Sequence, residues 1–424
     1  MPGRGCMLTL CAAGRATWSA CVAGEEATSK PPRDGILFVD HAGVLGGAEL
    51  SLLDIARHYR DTSAVVLLAD GPFRPALEEA GVHVDVLLAE PRLRAVRRSS
   101  GVGGALALAA VMRESRRLAE RARLYRLIHC NSQKAFVVGA LAGRRIGRPV
   151  VWHLRDMLTA DHFSRIGRLG VVRLANALAA RVICNSQATA DAFVRAGGRA
   201  GLVSVVYNGI DGEAFPPMDR EAARRQLDLP AGCTVGSFSR LAPWKGQHVL
   251  LDALAQLPDV RALVVGDALF GEDAYAASLR TLCEHHRLGD RVRFLGFRRD
   301  VPLLMAACDI VVHTAVAPEP FGRMVVEGML SGRPVVAADA GGVREIVTDG
   351  RTGCLIPPGD AGALAVAIRA LLADRPAADR LAATGRAWAL ARFSRDRMLA
   401  DFDQVIAQVM CARRRTPAAA DAAH

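Results

Sequence analysis

DIVVHTAVAPEPFGRMVVEGMLSGRPVVAADA, residues 309–340, sets two short apolar runs on either side of a stretch with helical character. The flanking runs DIVVHTA (309–315) and RPVVAADA (333–340) are rich in Val and Ala, bounded by turn residues, and short enough to be buried strands. Strands covered on both faces read as continuous apolar runs, whereas strands with one wet face alternate. Strand, crossover helix and second strand therefore read as a βαβ unit of a parallel sheet. Two carboxylates punctuate the crossover. Glu319 stands before a helix start near Phe321, and Glu327 about a turn and a half inside it.

The same alternation runs along the whole chain. Strand-like runs in the first half are ILFVD (36–40), AVVLLA (64–69), VDVLLA (84–89), RLIHC (126–130), PVVWHL (149–154), RVICN (181–185) and SVVYN (204–208). In the second half they are TVGSFS (234–239), RALVVGD (261–267), VRFLGF (292–297), DIVVHT (309–314), PVVAAD (334–339) and GCLIPP (353–358). Ala-, Leu- and Arg-rich helical stretches separate them, so the fold class is α/β with parallel sheets covered on both faces. Thirteen strands are too many for one such sheet, and two doubly wound, Rossmann-like units divide them economically. NGIDGEAFPPMD (208–219), rich in Gly, Pro and acidic turn residues, marks the break between domains at 34–207 and 208–390. Residues 391–412 are expected as a helix packing back across the first domain, 1–33 as a disordered leader and 413–424 as a flexible tail.

Composition narrows the class of ligand. A chain of 424 residues suits two cores rather than one. A formal net charge of +11 favours anionic partners: nucleic acid, lipid surfaces or phosphorylated small molecules. Aromatic residues make up 5% of the chain and no stacking platform or reading helix is evident, which argues against nucleic acid. The ten cysteines are scattered without a CxxC pair, and Cys130, Cys184 and Cys308 fall in strand-like runs, as reduced core residues of a cytoplasmic protein would. No run approaches the ~20 apolar residues of a membrane-spanning helix. Basic charge concentrates in RLRAVRRSSGVGG (92–104) and RESRRLAERARLYR (113–126). These read either as a solvated helix face or as a surface for peripheral contact with the inner face of an anionic membrane.

Ligands of open α/β sheets bind beyond the carboxyl ends of the strands, so polar residues at those ends are the candidates. ILFVD runs into HAGVLGGAEL (41–50), where Gly43, Gly46 and Gly47 let backbone N–H groups approach a ligand. This loop is not GxGxxG, which weakens the case for a nicotinamide or flavin. PVVWHL brings His153 to a strand end, with Arg155 and Asp156 close behind. CNSQ follows a strand twice, at 130–133 and 184–187, where Asn and Ser either cap helices or line a site. In the second half TVGSFS leads into RLAPWKG, and Arg240 and Lys245 on that loop suit a diphosphate. Main-chain groups at Phe297 and Arg298 are placed to read a base edge. The helix near Phe321 aims its positive dipole end at the same cleft. Glu319 and Glu327 each offer two acceptor oxygens to vicinal hydroxyls. A diphosphate with hydroxyls bound at both ends is a nucleotide sugar.

SRLAPWKG (239–246), the Glu319-x7-Glu327 pair, GGVREIV (341–347) and GRTGCLIPPGD (350–360) follow GGAE (46–49) and VYNGID (206–211) in order. This set resembles the retaining family-4 glycosyltransferases of GT-B fold over roughly residues 35–410. The resemblance implies two Rossmann-like domains facing across a cleft, acceptor side first and nucleotide-sugar side second. By it, Arg240 and Lys245 bind the diphosphate, Glu327 holds the ribose, and Glu319 with the main chain of Phe321 and Gly322 contacts the donor sugar. Gly46 and Gly47 lie beside the diphosphate from the other domain, and His153 contacts the transferred sugar near its reacting carbon. Three departures stand out: Ser239 replaces a usual glycine, a His-Asp pair becomes HLRD, and Arg323 stands where an apolar residue is frequent. The implied activity is hexosyl transfer with retention, from a UDP- or GDP-linked sugar to a glycan, lipid-linked or other hydroxyl acceptor, with no metal or other cofactor required. An epimerase of the same fold and a non-catalytic scaffold are the rival readings.

Overall fold

The computed structural model describes residues 35–87, 104–159, 163–269 and 271–414. The leader, the end of the tail and nearly all of the basic stretch 92–104 lie outside the described residues.

Each of the thirteen expected strands forms, and all pair in parallel within two sheets. The first sheet holds β1 (Ile36–Asp40), β2 (Ala64–Leu67), β3 (His83–Val86), β4 (Leu127–Cys130), β5 (Val150–Leu154), β6 (Arg181–Cys184) and β7 (Val203–Val205), in the order β3-β2-β1-β4-β5-β6-β7. The second holds β8 (Cys233–Phe238), β9 (Val260–Val265), β10 (Val292–Gly296), β11 (Ile310–His313), β12 (Val335–Ala338) and β13 (Cys354–Ile356), in the order β10-β9-β8-β11-β12-β13. Strand order reverses between β1 and β4 and again between β8 and β11. These two switch points open a crevice at the carboxyl ends of the strands. The stretch 309–340 forms one such unit, with Val311 opposite Val335 and Val312 opposite Val336 on either side of the helix Arg323–Leu330.

The first sheet is packed on both faces. On one, Phe136 stacks on Trp152 with ring centroids 4.6 Å apart. On the other, Phe38, Ile55 and Phe73 are joined by Met398, Phe402, Val405, Ile406 and Val409 from the helix Arg395–Arg414. Burying an apolar side chain of this size contributes about 1.5–3 kcal/mol at most. The flanking exposed pair His58–Asp403 contributes about 0.2–1 kcal/mol. Apolar burial, not surface charge, therefore anchors this last helix. The chain passes between the sheets twice, side by side: the Ile210 N–H donates to Phe393 O at 2.9 Å and the Arg395 N–H to Ile210 O at 3.1 Å. Among the described residues no helix is long and apolar enough to cross a membrane.

Candidate active site

The loops after β8 and β11 lie against each other. Gly246 adopts φ +69°, and a Cβ there would stand 2.0 Å from Thr314 O, so a side chain at this position would force the loops apart. This close approach brings Lys245 to Glu319. The ammonium donates to both carboxylate oxygens, at 2.7 and 2.8 Å, and His313 Nε2 lies 3.2 Å from Oε2. Burial by itself would raise the Glu319 pKa, but the Lys245 charge and the His313 contact outweigh it and hold the carboxylate well below its ordinary range. The Trp244 ring sits under both cations, 4.2 Å from Lys245 Nζ and 5.5 Å from Arg240 Cζ. Arg240 Nη1 donates to Glu272 Oε2 at 2.7 Å.

The helix Arg323–Leu330 starts beside this pair, with Gly322 at φ +109° as its first half-turn. Glu327 accepts from Arg323 Nε at 2.7 Å, yet burial outweighs that charge and its pKa is raised. The Phe321 ring is buried with Tyr207 and Phe393. At the end of β10 the Phe297 N–H donates to Asp267 Oδ2 at 2.9 Å, and Arg298 Nε to Asp300 Oδ1 at 2.7 Å. Phe297 is 60% exposed.

The first sheet supplies the opposite wall. Gly46 caps the helix Gly47–His58, and its N–H donates to Glu49 Oε2 at 3.0 Å. A Cβ on Gly47 would lie 3.6 Å from Arg323 Cδ, so the glycine loop meets the helix that carries Glu327. Behind it runs a buried polar chain. Arg155 Nε donates to Asn131 Oδ1 at 2.6 Å and Nη1 to Asn208 Oδ1 at 2.8 Å, while Asn131 Nδ2 donates to Asp40 Oδ2 at 2.6 Å. Burial, then the charge of Asp40, pushes the Glu49 carboxyl up to about 7.

His153 does not stand where the sequence reading puts it. β5 continues through Leu154, and the His153 side chain is only 1% exposed. Its ring stacks 6.4 Å from Phe402 and stands edge-on to His129 at 5.4 Å. The Arg155 guanidinium can only donate, so His153 Nδ1, 3.3 Å from Nη2, is the acceptor and the ring proton sits on Nε2. Burial and the Arg155 charge hold its pKa well below the usual value. Residues two apart on a strand share a face. His153 and Arg155 therefore point the same way, but the C-terminal helix covers the first and the strand end carries the second.

Sequence reasoning passed over Trp244, Glu272 and His313. The rule that strand ends carry function could have found His313, the last residue of β11; Glu272 has no local signal. For CNSQ the capping reading holds. Ser132 and Ser186 cap their helices, and the same side chains reach out of them, Ser132 Oγ to His41 Nδ1 at 2.8 Å and Ser186 Oγ to Pro320 O at 2.5 Å. Among the described residues no group of His, Cys, Asp and Glu is arranged to hold a metal ion.

Two facing doubly wound sheets, with a glycine loop at one switch point and cations with paired glutamates at the other, define a protein of the GT-B class. Residues 45–214 match the family described as Glycosyltransferase Family 4 and residues 219–388 that described as Glycosyl transferases group 1. The chain belongs to the family-4 glycosyltransferases. It is similar to Anabaena Alr3699/HepE in complex with UDP and glucose, at 45% identity and a TM-score of 0.81, over 88% of this chain and 99% of that one. Alr3699/HepE in complex with UDP-glucose aligns at 44% identity with the same TM-score of 0.81. D-inositol 3-phosphate glycosyltransferase of Mycobacterium sp. (strain KMS) is 37% identical over 211 residues, 49% of this chain and 48% of that protein. Lipopolysaccharide core biosynthesis mannosyltransferase LpsB of Rhizobium meliloti (strain 1021) is 35% identical over 235 residues, 52% of this chain and 65% of that protein. The chain thus spans about half the length of the first of these curated relatives and 65% of the second.

Proposed function

We propose that the protein transfers a hexosyl unit from a uridine-diphosphate sugar to a hydroxyl of a glycan or lipid-linked acceptor, with retention of configuration. The observation that carries this reading is the Lys245–Glu319 pair beside the helix start at Gly322. A diphosphate there competes with Glu319 for Lys245, with Glu272 for Arg240 and with Glu49 for the Gly46 N–H, and gains the positive end of the helix and the amide of Gly47. Glu327 takes the ribose hydroxyls, and Glu319 with the main chain of Phe321 and Gly322 takes the donor sugar. The main chain at Phe297 and Arg298 borders the base.

In the reaction the bond between the sugar's C1 and the diphosphate oxygen breaks, and the electron pair leaves with the nucleoside diphosphate. The acceptor oxygen bonds to C1 on the same face, through an oxocarbenium-like state, and its proton passes to the departing phosphate. Neutralising that developing charge contributes most to the rate, and Arg240, Lys245 and the helix end provide it without a metal. His153, enclosed by His129, Arg155 and Phe402, has no part in the step. The UDP-glucose bound by Alr3699/HepE supports uridine as the base, and the name of LpsB supports a glycan acceptor. Exposed Arg113, Arg116, Arg117 and Arg123 favour peripheral contact with an anionic membrane at its inner face, where a lipid-linked acceptor would be presented.

Thermal shift against UDP, GDP, ADP and their sugars tests the donor. Stabilisation by UDP and UDP-sugars, UDP release that depends on acceptor and persists in chelator, and an unchanged anomeric configuration by NMR are expected. No stabilisation by any nucleoside diphosphate overturns the reading. Co-sedimentation with anionic but not neutral vesicles is expected, and sedimentation with neither removes the membrane part.

A further inference from the structure

The helix Gln187–Arg195 starts at the end of β6, on the first sheet. Its first two N–H groups, those of Gln187 and Ala188, donate to the two oxygens of Glu345, each at 2.8 Å. Glu345 belongs to the helix Val343–Ile346 of the second sheet's domain, and Tyr207 OH donates to the same carboxylate at 2.9 Å. Two further contacts cross beside it: Ser186 Oγ donates to the carbonyl of Pro320 at 2.5 Å, and Thr189 Oγ1 lies 3.1 Å from that oxygen. Pro320 is the peptide between Glu319 and Phe321. From its other side the loop is held within its own domain, where the Gly342 N–H donates to Glu319 O at 2.8 Å. A Cβ at Gly342 would lie 2.7 Å from Pro320 O, so glycine is what lets this support come so close.

We propose that Glu345, Tyr207, Ser186 and Thr189 form a clasp between the two domains that sets the position of the loop carrying Glu319. They are positioning residues for sugar transfer, a role that rests on the glycosyl-transfer reading above. The geometry separates two sets of contacts. Those of Gly342 on the loop lie inside one domain and survive any relative movement of the two. The five that cross are short and directional, and a separation of a few ångströms breaks all of them together. Charge-assisted bonds from a helix N-terminus to a carboxylate are among the stronger hydrogen bonds available to hold such a closed arrangement. Arg240, Lys245 and Glu327, the charged nucleotide ligands, all stand on the second sheet's side, and the first sheet adds the amides of Gly46 and Gly47, so the nucleotide keeps most of its hold without the clasp. The aligned donor sugar cannot. The clasp therefore acts on turnover more than on nucleotide affinity.

The test combines hydrogen exchange, calorimetry with UDP, and steady-state kinetics on the full chain and its Glu345→Ala, Glu345→Gln and Ser186→Ala variants. In Glu345→Ala, exchange at the Gln187 and Ala188 amides accelerates about tenfold or more, although the change is made in the other domain. Its kcat falls by about tenfold or more while the Kd for UDP stays within about twofold. Glu345→Gln, which keeps one acceptor oxygen, is intermediate, and Ser186→Ala lowers kcat with the same unchanged UDP affinity. Unaltered exchange at those amides, or an unaltered kcat in Glu345→Ala, overturns the proposal. Should that variant fail to fold, an unaltered kcat in Ser186→Ala does so. If the unmodified chain binds no UDP, the transfer reading falls, and the exchange measurement still decides whether the clasp exists.

Discussion

Lys245 and Glu319 meet across the switch point of the second sheet, the ammonium 2.7 and 2.8 Å from the two carboxylate oxygens. Their side chains are 13% and 11% exposed, so each is the other's principal compensation for lost hydration. Lys245→Ala therefore removes a diphosphate ligand and also strands a buried carboxylate, with an expected stability loss of about 3–5 kcal/mol. The Lys245→Ala, Glu319→Gln double variant recovers most of that loss and remains inactive. Denaturant titrations beside UDP-release assays separate the two effects, and transfer at the normal rate by the double variant would contradict the site.

Glu327 is expected to act on the ribose, which UDP and GDP share. Glu327→Ala should weaken both nucleotides by about tenfold, the equivalent of one charge-assisted hydrogen bond. The ratio between the two nucleotides should not move. Calorimetry with each measures this, and a selective loss of one would assign Glu327 to the base instead.

Arg155 ties Asn131 to Asn208 and faces the charges of Asp40 and Glu49. Arg155→Met leaves buried acceptors and carboxylates uncompensated, and a loss of about 2–4 kcal/mol is expected. Lysine will not rescue it, because a single ammonium lacks the planar fork that reaches both amides. Urea midpoints of the two variants should lie close together and well below that of the unmodified chain.

His129 and His153 give stability an acid limb. Burial first, then the Arg155 charge, lowers His129 to about 3 and holds His153 well below its usual value. In the unfolded chain both take up a proton near pH 6.5, so below that pH the unfolded state binds more protons than the folded one. Their contribution is complete above about pH 6.5 and falls as pH drops toward 3, by up to about 1.4 kcal/mol per pH unit for each histidine. Urea midpoints between pH 5 and 7.5 measure the slope, and His129→Leu or His153→Leu should flatten it. An unchanged slope in both variants would contradict this account.

Much of the fold is legible before any coordinates are seen. Strands such as ILFVD and DIVVHT announce themselves because a parallel strand covered on both faces must be apolar throughout. Arg240, Lys245 and Glu319 are legible as charges set where strands end, in loops that offer no apolar face of their own, and Glu327 as a charge on the helix that follows. His153 shows where this logic stops. The period of two tells which face of β5 it occupies, but not that Phe402, from the far end of the chain, lies over that face.

Local pattern, then, determined the strands, the division into two sheets and the residue types at their ends, because these depend on neighbours within a few positions. Tertiary structure alone decided the pairings: Lys245 with Glu319, Arg323 against Gly47, and Glu345 on the helix at Gln187. Such contacts join segments that are remote in sequence, and their energies depend on distances and burial that no short-range periodicity encodes.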